Sequence, residues 1–188
     1  MGWSMSGCDK IGAKLSKVLK PVSEVQETDV AAAVALLLKP AHQDLKILLV
    51  KRARSLTDPW SGQMAFPGGK RDPKDRDLLQ TAIRETFEET SINLHNGCCF
   101  LGALENTRSG AEPNLLVAPF VILVEDDPAM KLSGELVGHL WVPLKSLSGC
   151  KRTARLPFGE VPAYVVKGHV VWGLTYRILE QLFKALEY

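Results

Sequence analysis

FPGGKRDPKDRDLLQTAIRETFEETSI, from Phe66 to Ile92, decides how this chain is read. It opens on Gly68-Gly69 and ends on a stretch carrying Glu85, Glu88 and Glu89. On a helix, carboxylates at i, i+3 and i+4 fan over roughly 100° of one face. Three like charges held that close repel one another, and the helix gains nothing from them unless a cation sits among them. Hard divalent ions such as Mg2+ take oxygen ligands and favour carboxylates together with phosphate. A Glu-rich face standing alone reads as solvated surface. Arg84 and the glycine turn in the same segment favour a metal platform for phosphate chemistry instead. The turn lets the backbone bend sharply and bares its amides to an anion.

Working outward, Asp75 or Asp77 caps a helix running to about Thr90, with Leu79, Ala82, Ile83, Thr86 and Phe87 as its buried stripe. Upstream, Val30 to Leu38 and Lys46 to Arg52 read as strands joined by a turn at Pro40 to Asp44. Ala53 to Gly62 is a loop, and Gln63 to Phe66 is a short strand entering Pro67-Gly68-Gly69. Downstream, Cys98 to Glu105, Leu115 to Glu125 and Glu135 to Val142 are strands, with loops at Asn106 to Asn114 and Asp126 to Ser133. A short helix is expected at Pro143 to Leu147, an irregular basic stretch at Cys150 to Val161, a strand at Tyr164 to Val166 and a closing helix at Trp172 to Leu186. Residues 1–9 read as disordered and 10–20 as a short surface helix ended by Pro21. Strands and helices mix without regular alternation, so the expected class is α/β (α+β), a mixed sheet with helices on both faces.

Composition bounds the rest. The 188 residues suit one domain spanning 1–188, with 46% hydrophobic and 23% charged residues, as in an ordinary globular protein. A formal net charge of +2 gives no global field for nucleic acid or a membrane surface. No apolar run approaches a membrane span, so no membrane association is expected. Cys8, Cys98, Cys99 and Cys150 form no C-x-x-C pair, which favours reduced thiols and a cytoplasmic protein. His42, His95, His139 and His169 show no metal-ligand spacing, and Trp141, Trp172 and Tyr176 read as core.

The segment from Gly69 resembles the signature of the Nudix hydrolases, which cleave nucleoside diphosphates linked to another group. Asp75 stands for the first acid of that signature, and Arg84-Glu85, Glu88-Glu89 and Ile92 follow. Eight residues rather than seven separate Asp75 from Arg84, Thr86 replaces an apolar residue, and Ser91 replaces a late glycine. The extra residue and the Asp also occur in a branch similar to coenzyme A pyrophosphatases. That branch carries Leu-Leu-x-x-Arg and Gly-Gln-x-x-Phe-Pro-Gly-Gly, matched here by Leu48 to Arg52 and Gly62 to Gly69. Val50 and Ala53 stand where that branch has Thr and Ser, and Trp60 stands near its usual His.

The resemblance implies a Nudix-type α/β/α sandwich and Mg2+- or Mn2+-dependent hydrolysis of a pyrophosphate. The implied substrate is coenzyme A or an acyl-CoA, with ADP-ribose, dinucleotides or nucleotide sugars as the alternative. A non-catalytic nucleotide-binding module of the same fold is the reading of another class. Glu88 and Glu89 are the implied metal ligands, and Glu85 either binds metal or takes the proton from water. Glu135, or alternatively Glu105, is a further carboxylate, and Arg84 orients Glu85 or Glu88 through a charge-assisted hydrogen bond. Arg52 is the leading phosphate contact, ahead of Lys51 and Arg54; Gly68 and Gly69 border the substrate, and Trp60 is a candidate stacking platform. A small-molecule nucleotide is the expected partner, and a homodimer is compatible with the resemblance.

Overall fold

The computed structural model describes residues 15–41, 44–55, 60–124 and 127–188. The expected tail over 1–9 and the first part of the helix over 10–20 lie outside the described residues. From the end of that stretch, Leu15 and Leu19 are buried in the core, and Lys20 bridges to Ala103.

Strand β1 (Val30–Ala41) is the axis of the molecule. Along one side it runs parallel to β7 (Leu116–Val124). Along the other it changes partner, pairing antiparallel with β4 (Gly68–Lys70) near its start and with β2 (Asp44–Arg52) near its end. β2 also pairs with β3 (Met64–Ala65) and β8 (Leu136–Pro143), while β7 pairs with β5 (Cys98–Ala103) and β6 (Thr107–Arg108). The result is one mixed eight-stranded sheet. Its central strands are near-continuous apolar runs because both faces are covered. Successive side chains point to opposite faces, so Leu36 and Leu38 enter one core while Ala35 and Leu37 enter the other.

Helix α1 (Leu78–Thr90) covers the Leu37 face through Leu78 and Ala82. Short helix α2 (Leu144–Ser148) follows β8, and helix α3 (Gly173–Leu186) covers the Leu36 face through Ile178 and Leu182. Each fully buried leucine contributes roughly 1.5–3 kcal/mol relative to exposure. The expected mixed sheet with helices on both faces is therefore observed.

Four local expectations are corrected. Residues 150–161 are not irregular. They form β9 (Lys151–Leu156) and the first part of β10 (Gly159–Val166), which with β11 (His169–Trp172) make a separate three-stranded antiparallel sheet. The expected strand over 164–166 is the end of β10. The basic run hid β9 because only Ala154 of its outward-charged sequence is buried. Gly68-Gly69 is not a free turn but part of β4, and the loop at 106–114 contains β6.

The fourth correction concerns the buried face of α1. Thr81, Thr86, Glu89 and Thr90 are buried, Leu79 and Ile83 only partly so, and Phe87 is 53% exposed. The helix is rotated so that polar groups, including a carboxylate, face the sheet. Its ends follow local rules. Asp77 caps it by accepting from the Gln80 amide at 2.7 Å. Ser91 ends it at φ +60°, the left-handed conformation that explains a glycine at this place in the signature.

β4 approaches β1 so closely that Gly68 tolerates no side chain. At φ +148°, a Cβ there would lie 2.3 Å from the Ala33 carbonyl oxygen. Replacing Gly68 by Ala is expected to cost at least about 2 kcal/mol through strain and displaced backbone. Urea unfolding measures this, and an unchanged midpoint would show that β4 can shift at no cost.

Candidate active site

The glycine strand and the glutamate helix meet face to face. The Gly68 amide donates to Glu89 Oε2 at 3.0 Å. A Cβ on Gly69 would sit 2.5 Å from the Glu85 carboxyl carbon. The two glycines are needed for different reasons: the Glu85 carboxylate lies directly on Gly69, whereas the β1 backbone lies on Gly68.

Arg84 organises these carboxylates. Its Nε and Nη2 donate to the two oxygens of Asp75 at 3.0 and 2.9 Å. Its Nη1 donates to Glu85 Oε1 at 2.8 Å and to Glu88 Oε2 at 3.0 Å. Nη2 also reaches the Lys70 carbonyl of β4 at 3.2 Å. Asp75, only 6% exposed, additionally accepts from the Thr81 hydroxyl at 2.9 Å and the Asp72 amide at 3.0 Å. Asp75 is thus not the cap of α1; it is the buried counter-ion of Arg84. The guanidinium beside it and these donors hold its carboxyl well below the usual carboxylate range. The same pairing pushes the Arg84 pKa up, so its charge is permanent.

Two glutamates shift the other way. Desolvation pushes Glu89 up to about 7, against the Gly68 hydrogen bond and Arg52, whose Nη1 lies 3.7 Å away. Desolvation also raises Glu85, aided by the nearby charges of Glu88 and Glu135. Burial therefore works against carboxylates that the fold nevertheless holds in place.

These residues wall a cavity of about 420 Å3. Glu85, Glu88, Glu89 and Glu135 line it together with Arg52, Trp60, Gly68 and Gly69. Arg84 stands behind that wall. Glu105 is elsewhere, exposed and paired with Lys20 at 2.7 Å, so it is not the extra carboxylate of this cavity. Arg54 is exposed outside the lining, and Lys51 faces a different cavity. The opposite wall is apolar, with Leu115 and Val117 near β7 and Leu174 and Ile178 from α3. No sequence signal placed α3 at this site, since its apolar stripe reads as ordinary core.

The profile of the NUDIX domain matches residues 28–164. The chain belongs to the Nudix hydrolase family. It is 36% identical over 126 residues to the peroxisomal coenzyme A diphosphatase ndx-8 of Caenorhabditis elegans, covering 66% of this chain and 52% of that protein. The chain therefore spans about half the length of this relative. It is 34% identical over 148 residues to the uncharacterized Nudix hydrolase NudL of Photorhabdus laumondii, covering 75% and 77% of the two chains. In fold it is similar to the NUDIX domain of Shewanella oneidensis NrtR, solved as a complex with ADP ribose. The TM-score is 0.55 at 18% identity, covering 87% of this chain and 95% of that one.

Nudix hydrolases use divalent metal ions. Among the described residues of this chain, no three carboxylates converge into a ready-made cation cage. Arg84 holds Glu85 and Glu88, and the Gly68 amide holds Glu89. The donor chemistry nevertheless fits a hard divalent ion. Four carboxylates border one cavity, and two of them carry a desolvation penalty that a cation would offset.

Two outcomes are expected in the metal-free Nudix protein. Asp75→Asn removes the charge facing Arg84 and should cost on the order of 3 kcal/mol at pH 7. Because the folded pKa of Asp75 is depressed, its contribution is complete above about pH 4 and is lost as pH falls below that. The gap between wild type and variant in urea midpoint should therefore narrow under acid; a constant gap would disprove the ion-pair account. Glu89 has the opposite sign. Its folded pKa is raised from 4.5 to about 7, so it lowers stability as pH rises through that window. Glu89→Gln should gain on wild type by up to about 3 kcal/mol between pH 4.5 and 7, then level off. Parallel stability–pH curves for the two proteins would contradict this.

Proposed function

We propose that this chain, acting as one Nudix domain, hydrolyses the pyrophosphate linkage of a nucleoside diphosphate derivative. We further propose that the substrate is coenzyme A or an acyl-CoA, with water addition yielding adenosine 3′,5′-bisphosphate and a phosphopantetheine. The observation that carries the reading is the shared cavity. Carboxylates far apart in sequence, Arg52 and the glycine backbone of β4 all border it. Leu48 to Arg52 and Gly62 to Gly69, which match the coenzyme A branch, support the substrate, as does the name of the worm relative.

Within this reading, Glu88 and Glu89 would hold Mg2+ or Mn2+, together with Glu85 and Glu135. The ion supplies, when bound, charge neutralisation on phosphoryl oxygens and a more acidic water. Glu85 serves either as a ligand or as the acceptor of the water proton. Arg52 would meet a phosphate by charge-assisted hydrogen bonds. Gly68 and Gly69 border the space where the diphosphate would lie against β4, and Trp60 offers a flat apolar surface to the rest of the substrate. Arg84 touches no substrate in this scheme; it fixes the positions of Glu85 and Glu88. The apolar wall excludes water from one side of the cavity.

The same reading takes the protein to be cytoplasmic, in keeping with the free thiols of Cys99 and Cys150. The worm relative is by its name peroxisomal. Fractionation of tagged protein separates the two locations. Among the described residues no helix is long and apolar enough to cross a membrane. A homodimer is the proposed assembly, measurable by light scattering.

A panel of coenzyme A, ADP-ribose, dinucleotides and nucleotide sugars, with products resolved by mass, tests the substrate. Turnover of another diphosphate with coenzyme A untouched would overturn the substrate but keep the reaction. Glu88→Gln should lower kcat by at least about a hundredfold. It should leave the fold intact, since the Glu88 side chain is 56% exposed. Near-normal metal-dependent hydrolysis by that variant would overturn the role of Glu88. Nucleotide binding with no metal uptake and no product would favour the non-catalytic module.

A further inference from the structure

A second cavity, of about 400 Å3, lies on the other side of β3. Gln63 and Met64 line both cavities. Lys51 and Arg52 are neighbours on β2, and alternation along the strand sends Arg52 to the first cavity and Lys51 to the second. The remaining walls come from the small sheet. The β9–β10 turn contributes Phe158, and β11 contributes His169 and Trp172.

Three features of this cavity point to one kind of ligand. First, Phe158 is 66% exposed, an unusual position for a large apolar ring, and it stands 5.1 Å from the Trp172 ring at 46°. Packed on Trp172 at that distance, Phe158 keeps an exposed face that suits a planar base, and such stacking contributes about 1–3 kcal/mol per base. Second, Lys51 Nζ lies 3.5 Å from His169 Nδ1, so an ammonium sits beside a ring nitrogen rather than a carboxylate. Third, the described lining contains no Asp or Glu. The first cavity sets Arg52 and Lys70 among four carboxylates that the proposed ion would occupy together with the diphosphate. The second offers a lysine and no described acid, so a monoester phosphate beyond the diphosphate is better matched by the second.

We propose that this second cavity is a subsite for the phosphorylated nucleoside end of the substrate, with the base on Phe158 and Trp172 and a monoester phosphate met by Lys51. The proposal rests on the hydrolase reading given above and adds the residues that select the substrate. The scissile diphosphate would lie in the first cavity, and the nucleoside would cross the edge of the sheet over β3. One strand, about 5 Å wide, separates the two sites. The subsite would favour nucleosides carrying a phosphate besides the diphosphate, as coenzyme A does, over those without one. Phe158, His169 and Trp172 would then be specificity residues lying outside the glutamate segment.

The test titrates adenosine 3′,5′-bisphosphate into wild type, Phe158→Ala and Lys51→Ala, and measures kcat and KM for coenzyme A and for its analogue lacking the 3′-phosphate. Melting temperatures confirm that the variants fold. Each variant is expected to weaken bisphosphate binding about tenfold and to raise KM for coenzyme A similarly, with kcat within about twofold. Lys51→Ala should leave KM for the 3′-dephospho analogue unmoved, whereas Phe158→Ala should raise it. Unchanged binding and KM in both variants would overturn the subsite while leaving the hydrolase reading standing. Weakened binding with unchanged KM would also overturn it, because the ligand would then be a separate effector. If wild type hydrolyses none of the diphosphates yet binds the bisphosphate through Phe158 and Lys51, the hydrolase reading fails and the nucleotide subsite is supported.

Discussion

The bidentate pair of Arg84 and Asp75 is the interaction on which the geometry of the site depends. Asp75 is buried and receives donors from Thr81 and Asp72 as well as Arg84. With its counter-ion fixed, the guanidinium has its remaining donors directed at Glu85, Glu88 and the Lys70 carbonyl. One side chain therefore ties α1 to β4 and sets the positions of two carboxylates. An unpaired arginine in the same place would be free to follow any of the surrounding acids, and the carboxylates would repel one another apart.

A second constraint follows from that placement. Glu85 pressed on β4 leaves no room for a Cβ on Gly69, and the β1 backbone leaves none on Gly68, which is why β4 begins with two glycines. The arrangement also desolvates Glu89 and Glu85, so both resist ionisation at the acidity where glutamate normally loses its proton. A fold selected only for stability would replace Glu89, 4% exposed, with an apolar residue. Its retention among Leu37-side core residues is understandable if the folded protein meets a cation there. The rotation of α1 has the same origin. Turning Glu89 towards β4 turns Phe87 outward and spoils the simple apolar stripe expected from spacing.

Much of this was legible in the sequence, and the failures have physical causes. The segment from Phe66 to Ile92 named every carboxylate of α1 that borders the cavity, because side chains that share one helix face keep a readable spacing. The central strands were legible because burial on both faces leaves continuous apolar runs. Asp75 was read as a possible cap or a signature acid. Only three-dimensional contacts separate it from Asp77, which accepts from the Gln80 amide. The small sheet was missed because β9 alternates charged residues with a single buried alanine. Pro162 also argues against a central strand, yet it lies in the part of β10 that pairs with β9 alone, just before the ladder to β11 begins at Ala163. Pro119 of β7 is tolerated in a similar way, between the last partner in β5 and the first in β6.

That missed sheet bears on how reaction and selection divide in the molecule. The residues proposed to handle a diphosphate lie on α1, β4 and the end of β2; Arg84 ties α1 to β4, and Arg52 reaches α1 through Glu89. Trp172 and His169 lie on β11, which packs against α3, and Phe158 lies on the β9–β10 turn; among the described residues none of the three hydrogen-bonds to Arg84. In the proposed scheme, changes in the β9–β11 sheet would therefore alter what is bound without moving the carboxylates. Conversely, the strict spacing from Gly69 to Glu89 can stay fixed while substrates differ, since none of it reaches the second cavity. This separation explains why the signature assigns a family and a chemistry so readily while saying little about the substrate. In the proposed scheme the chemistry depends on carboxylates at fixed spacing, two of them held by one arginine, whereas recognition is distributed over surfaces whose sequence has no regular period.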